Sequence, residues 1–243
     1  MQRALFISDL HLSAERPAAN EALFAFLEER VPGADSLYIL GDLFEYWIGD
    51  DDLEDPFHAV VAGFLKRTAR QGTAVLLMHG NRDFLVSAAF CAAAGTQLLP
   101  DPTVVDLYGT PTLLMHGDTL CTDDAAYQDW RNTCRGDAWQ RDFLARPLDA
   151  RRETMLGLRA QSEAGKREKS AQIMDVSETA VRDALRAHGC TRLIHGHTHR
   201  PGRHALDVDG RACERWVLND WYSRGGYLEV TPAGVKAAVL PFA

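Results

Sequence analysis

Asp9, His11, Asp42, Asn81, His116, His197 and His199 share one setting, each following closely on a short apolar run. The runs are Ala4–Ser8 before Asp9-Leu10-His11, Ser36–Leu40 before Gly41-Asp42, Ala74–Met78 before His79-Gly80-Asn81, Thr112–Met115 before His116, and Arg192–Ile194 before His195-Gly196-His197-Thr198-His199. Runs of this length read as buried strands. In an open α/β sheet, residues just past the carboxyl ends of the strands converge in one crevice. Seven nitrogen and oxygen donors would meet there, enough for two cations sharing a carboxylate. Imidazole, carboxylate and amide oxygen together suit manganese or a similar divalent ion. The implied chemistry is that of a two-metal hydrolase. Within the last motif, residues 197 and 199 project to the same side of an extended stretch, and Gly196 leaves room for close approach.

The first half of the chain supplies elements to hold such a crevice. Strands are expected near 3–8, 36–40 and 73–78, alternating with helices near 19–30, 58–71 and 84–94; this alternation indicates βαβ units and a largely parallel sheet. From about Thr122 to Ala187 the pattern turns helical, with Tyr127, Trp130 and Cys134, then Met155, Leu158 and Arg159, then Ile173, Val176 and Val181 at helical spacing. We read a single domain over 1–243 carrying a helical cap insertion at about 122–187. Strands then return as RLI, HALDV, RWVLN, GYLEV and VKAAVL, separated by turn residues, and are expected to build a second, more antiparallel sheet.

Composition excludes several classes. A net charge of −8 argues against a protein that binds nucleic acid by neutralising phosphates. No run approaches the roughly 20 apolar residues needed to cross a bilayer, and the opening MQRALFISDLHL reads as a strand rather than a secretory leader, so a cytoplasmic protein is expected. Cys91, Cys121, Cys134, Cys190 and Cys213 are odd in number and lack C-x-x-C spacing, which suggests reduced packing residues. Charge is uneven: Arg146, Arg151, Arg152, Arg159, Lys166, Arg167 and Lys169 outnumber the acids among them, either as a solvated helix face or as a surface for an anionic substrate.

Taken in order, D-x-H, G-D, G-N, H and G-H-x-H resemble the calcineurin-like metallophosphoesterase family. The longer segments DLHL, ILGDLFEYWIGDD, HGNRDFL, MHGDTLCTDD, KSAQIMDV and HGHTHRP resemble the branch of that family that serves as the pyrophosphatase of bacterial lipid A synthesis, over nearly the whole chain. The resemblance implies an αββα sandwich of two sheets flanked by helices. It implies Asp9, His11 and His199 on one Mn²⁺, Asn81, His116 and His197 on a second, and Asp42 bridging them. A carboxylate can hold two cations about 3.5–4 Å apart, the separation at which both grip one phosphoryl group.

The same resemblance implies hydrolysis of UDP-2,3-diacylglucosamine to UMP and 2,3-diacylglucosamine 1-phosphate by a water activated between the cations, with no protein nucleophile. Asp42, Asn81, Arg82 and His116 are the implied catalytic residues, and Asn81, Arg82, Asp124, Ser162, Lys166, Lys169 and His197 the implied substrate contacts; at Lys166 relatives commonly carry Asn. A monomer is expected, in peripheral contact with the cytoplasmic face of the inner membrane.

Arg82 separates this chain from much of the wider family, where a histidine after G-N protonates a poor leaving group. An arginine keeps its proton but grips phosphate oxygens with a planar fork. That suits a leaving group that is itself a phosphate. Phe44, Tyr46, Trp47, Ile48, Phe84 and Leu85 flank the motifs, and with Met155, Leu158, Ile173 and Met174 they are expected to line an acyl groove or simply to pack the insertion. His79 and His195 are expected to orient or pack rather than ligate. His58, His188 and His204 fall on surface-like positions.

A phosphodiesterase, nuclease or general nucleotide-sugar pyrophosphatase using the same metals is the alternative enzyme reading, and the acidic charge and Arg82 disfavour a nuclease. A catalytically silent scaffold would be expected to have lost ligands, and all seven are present.

Overall fold

A computed structural model describes residues 2–168 and 175–242, with the side chains of 161–168 outside the description. The chain runs β1 (Ala4–Ile7), α1 (Pro17–Glu29), β2 (Ser36–Leu40), α2 (Pro56–Arg70), β3 (Ala74–Met78), α3 (Ala88–Ala94), β4 (Gln97–Leu99), β5 (Thr103–Leu107) and β6 (Thr110–Leu114). It continues with α4 (Ala125–Cys134), α5 (Asp137–Leu144), α6 (Leu148–Glu168), α7 (Glu178–His188), β7 (Arg192–His195), β8 (Gly202–Val208), β9 (Arg211–Val217), β10 (Gly225–Thr231) and β11 (Gly234–Leu240).

One sheet has the order β11-β10-β1-β2-β3-β4 and the other β5-β6-β7-β9-β8. Successive strand residues point to opposite faces, and β1 shows what that does here. Ala4 and Phe6 enter the layer between the sheets with Tyr38, Leu114, Ile194 and Leu228, while Leu5 and Ile7 face Leu23, Phe26, Leu65 and Phe90 of the covering helices. On the far side of the second sheet, Leu113 and Leu193 pack with Val181 and Leu185 of α7. The layers are α, β, β, α, as expected.

The expected division of strands between the sheets needs correction. β10 and β11 belong to the first sheet, β10 pairing antiparallel with β1. The centre of the second sheet, β6-β7-β9, is parallel, and only its outer strands β5 and β8 run antiparallel. Leu228 and Val230 of β10 fill the space between the sheets, so this strand needs cover that an edge of the second sheet would not provide. β4 is three residues long, too short for a periodic signal.

Helix α3 begins at Ala88 rather than near 84, because Val86 N–H turns back to the Asp83 carbonyl at 3.0 Å. Its first turn is capped from a distance: Asp50 accepts from Ser87 N at 3.0 Å and Phe90 N at 2.8 Å. Between β6 and β7 the expected stretch is helical, but α7 packs on the second sheet, while α4 and α6 supply Tyr127, Trp130, Met155 and Leu158 to the crevice. No helix among the described residues is long and apolar enough to cross a membrane.

Candidate active site

Strands β1, β2 and β3 run parallel, as do β6 and β7, and their carboxyl ends open onto one edge of the sandwich. Backbone bonds tie the loops that follow. His11 N donates to Asp42 O at 3.0 Å and Gly196 N to His116 O at 2.8 Å, while His197 N reaches across to Asp9 Oδ2 at 2.9 Å. Asp9, His11, Asp42, His197 and His199 all sit at φ between 49° and 66°. That left-handed region costs a non-glycine residue of order 1–3 kcal/mol, and such strain gathers where the surroundings hold side chains for a purpose. Packing is equally tight at Gly196, where a Cβ would overlap the Asp9 carboxylate and the Ser8 hydroxyl.

The expected ligands converge in two groups. Asp9, His11 and His199 offer atoms within 4.8 Å of one another, as do Asp9, Asp42 and His116. Asn81 Oδ1 lies 2.8 Å from His197 Nδ1 and 3.1 Å from His116 Nε2. Asp42 lies between the groups, Oδ2 being 3.7 Å from His11 Nε2 and Oδ1 3.9 Å from His116 Nε2. The structure thus brings all seven residues together.

Electrostatics describe a site short of positive charge. Burial, with Asp83 and Asp9 alongside, pushes the Asp42 carboxyl up to about 7 despite His116. Burial opposes protonation of His116, yet the Asp42, Asp118 and Asp9 carboxylates carry it up to about 9. His197 is driven down to about 3 by burial and then by His116, leaving it in the neutral form that binds metal. Asp9 Oδ1 is buried and makes no well-aligned hydrogen bond. A buried carboxylate oxygen 3.3 Å from His199 Nε2, among imidazoles and an amide oxygen with no thiolate, fits oxygen- and nitrogen-seeking divalent cations.

Supporting residues hold these loops. Asp83 accepts from Leu43 N at 2.7 Å, Gly80 N at 2.8 Å and Asp42 N at 3.3 Å, joining the two central loops. His116 Nδ1 lies 2.9 Å from the Leu40 carbonyl, which it donates to when Nε2 faces the cluster. Asp118, fully buried, accepts from Tyr127 Oη and Arg131 Nε, each at 2.7 Å, and so anchors α4 beside the centre. Sequence reading overlooks Asp83 and Asp118 as supports; the signal available was an acid two residues from a candidate ligand.

Beside the centre lies a cavity of about 430 Å³ lined by Asn81 and Arg82 together with Tyr46, Phe84, Trp130, Met155 and Leu158. Arg82 is 9% exposed, and its backbone N–H donates to Asp42 Oδ1 at 2.8 Å. Asp124 caps α4 by accepting from Tyr127 N at 3.1 Å. Ser162 and Lys166 lie on α6 with side chains outside the description, and Lys169, Ile173 and Met174 lie outside the described residues.

Four expectations change. Phe44, Trp47 and Ile48 do not line the cavity: they are fully buried, Phe44 and Trp47 stacking on each other and meeting Phe90 edge to face. Leu85 lines a neighbouring cavity instead. His58 is buried, not at the surface, because Phe44 and Trp47 enclose its ring and Asp52 O sits 3.1 Å from its Nδ1. In the basic run, Arg146, Arg151, Arg152 and Arg159 pair with Asp142, Asp51, Asp52 and Glu45, so their charge is largely used within the protein. His79 and His195 stand off the ligand groups, His79 against the Val86 carbonyl at 2.7 Å and His195 between the Gly196 carbonyl and Arg215.

The calcineurin-like phosphoesterase family model matches residues 2–201. The chain belongs to this family. It is therefore a hydrolase of a family that binds divalent metals. A UDP-2,3-diacylglucosamine hydrolase from Aromatoleum aromaticum is 51% identical over 236 residues, covering 97% of this chain and 96% of that protein. Proteins of the same name from Pseudomonas paraeruginosa and Xanthomonas campestris pv. campestris are 51% and 50% identical, the first covering 98% of both chains and the second 95% of this phosphoesterase and 96% of its own length.

Proposed function

We propose that this phosphoesterase hydrolyses the pyrophosphate bond of UDP-2,3-diacylglucosamine, releasing UMP and 2,3-diacylglucosamine 1-phosphate for lipid A synthesis. The observation that carries the reading is the shared wall: Asn81 and Arg82 belong both to the cluster's rim and to an apolar cavity of about 430 Å³. A substrate with a pyrophosphate next to acyl chains needs both environments side by side. Its likeness to proteins of that name at about half identity supports the choice of substrate.

Asp9, His11 and His199 would hold one Mn²⁺, and Asn81, His116 and His197 a second, with Asp42 between them. When bound, the two ions supply a lowered pKa for water and neutralise charge on the phosphoryl group. Around them the protein positions and encloses. Arg82 grips the pyrophosphate with its guanidinium, stabilising charge that grows as the bond to the departing phosphate breaks. Tyr46, Phe84, Met155 and Leu158 receive acyl carbon and exclude water. Asp124, Ser162, Lys166 and Lys169 are assigned to the sugar and phosphate. We place the protein in the cytoplasm as a monomer that meets its lipid substrate at the inner membrane surface.

The test is product analysis. Purified protein with Mn²⁺ is offered UDP-2,3-diacylglucosamine, UDP-glucose and p-nitrophenyl phosphate, and products are identified by mass spectrometry. Release of UMP and the diacylated sugar phosphate, with UDP-glucose nearly inert, is expected, because binding energy remote from the scissile bond positions it. Equal cleavage of UDP-glucose would make a general nucleotide-sugar pyrophosphatase the better description.

A further inference from the structure

We infer that Glu45 is a positioning residue for His11 and that Arg159, from the cap, braces it, so that a wall of the substrate cavity helps to set metal affinity; the inference rests on the dinuclear reading above. His11 Nε2 faces the cluster, 3.4 Å from His199 Nε2 and 3.7 Å from Asp42 Oδ2. If Nε2 ligates, the ring proton must sit on Nδ1, and a ligating imidazole needs an acceptor there to fix its tautomer and orientation.

Nδ1 makes no hydrogen bond. It faces Glu45 Oε2 at 3.6 Å, from which a shift of a few tenths of an ångström would close the bond. Glu45 is held in place by its backbone: Glu45 N donates to Leu12 O and Leu12 N to Leu43 O, each at 3.0 Å, clamping the Glu45 loop beside His11. Its side chain is 2% exposed, and a carboxylate so buried requires a countercharge. Oε1 finds one in Arg159 Nε at 3.0 Å. Arg159 lies on α6 and lines the cavity with Met155 and Leu158.

The arrangement differs from that of His116, whose outer nitrogen meets a backbone carbonyl of β2. A carbonyl in a strand is fixed by the sheet. A carboxylate braced by the cap is fixed only while the cap residue stays in place, so α6 and the ligand His11 are linked through a single side chain.

The experiment is calorimetric titration of Mn²⁺ into metal-free protein, with no substrate present, for wild type, Glu45→Ala, Glu45→Gln, Arg159→Ala and the Glu45→Ala/Arg159→Ala double variant. Loss of a group that orients a ligand typically lowers metal affinity by about 10- to 100-fold, and that is the loss expected for Glu45→Ala. Glu45→Gln keeps an acceptor oxygen and should retain more. Arg159→Ala should weaken Mn²⁺ binding although it removes no ligand, and the double variant should lose little beyond Glu45→Ala alone. Arg159 is partly exposed, so its variant keeps the test open if Glu45→Ala fails to fold.

Wild-type Mn²⁺ affinity in Arg159→Ala, with only KM for the lipid substrate raised, would overturn the inference and leave Arg159 as a plain substrate contact. So would additive losses in the double variant. A wild-type protein that takes up no Mn²⁺ would end the dinuclear reading itself, and this inference with it.

Discussion

Replacing Asp83 by alanine removes one carboxylate and strands three buried amides. The side chain is 1% exposed and collects Leu43 N and Gly80 N through its two oxygens at 2.7 and 2.8 Å, with Asp42 N more weakly at 3.3 Å. Removing the acceptor leaves each buried amide unsatisfied, at about 1–3 kcal/mol apiece. Counting the two short bonds fully and the long one in part, Asp83→Ala should cost about 5 kcal/mol. In a chain of this length that is a fall in Tm of roughly 10–20 °C.

Asp83→Asn sharpens the test. Its amide oxygen can serve Gly80 and Asp42 from the Oδ1 position, but its NH₂ then meets the Leu43 N–H, donor against donor, at a spacing meant for a bond. About 2–3 kcal/mol should be lost, the value of one charge-assisted bond and its stranded partner. Thermal and urea melts of metal-free protein measure both. Because Asp83 joins the Asp42 and Asn81 loops, Mn²⁺ stoichiometry by elemental analysis should fall in parallel. If Asp83→Asn melts within a degree of wild type and keeps full metal content, these bonds do not organise the site.

Asp42→Ala should abolish turnover and lower bound metal, since each proposed ion loses a ligand; normal stoichiometry with a near-normal rate would refute the two-metal assignment. Arg82→Ala should slow pyrophosphate hydrolysis roughly a hundredfold or more, the scale of losing one charge-stabilising donor, and Arg82→His should not restore it; full rescue by histidine would mean that a proton donor, not a phosphate grip, is required there. Away from the site, Glu214 accepts from Arg192 Nε at 2.6 Å and Arg203 Nε at 2.9 Å, and although burial would raise its carboxyl, these partners hold it below the usual range. Its contribution is therefore full above the unfolded-state value, about 4.3, and disappears as pH falls through the lower folded value. Melts of wild type and Glu214→Gln should differ at pH 7 and converge in acid; a difference that persists at pH 2 would contradict this.

The candidate ligands were legible in the sequence because each lies within a few residues of a strand end, and chemistry confined to a short motif survives any arrangement of the distant chain. The helices were legible by periodicity, with α2 from Pro56 and α1 from Pro17 found within two residues of their expected starts. Periodicity tells which face of an element is buried, but not which element covers it. That is why β10 was expected in the second sheet: its alternating pattern is the same whether it pairs with β1 or with β9.

The same gap explains Phe44, Trp47 and His58, whose burial against Phe90 depends on where α2 and α3 come to rest. It also explains Arg159 and Glu45, 114 positions apart and 3.0 Å apart in space. A run of arginines looks alike whether it faces solvent, substrate or buried carboxylates. Only the packing of α6 over the loop after β2 decides which, because the cost of burying a carboxylate selects its partner from whatever the fold brings near.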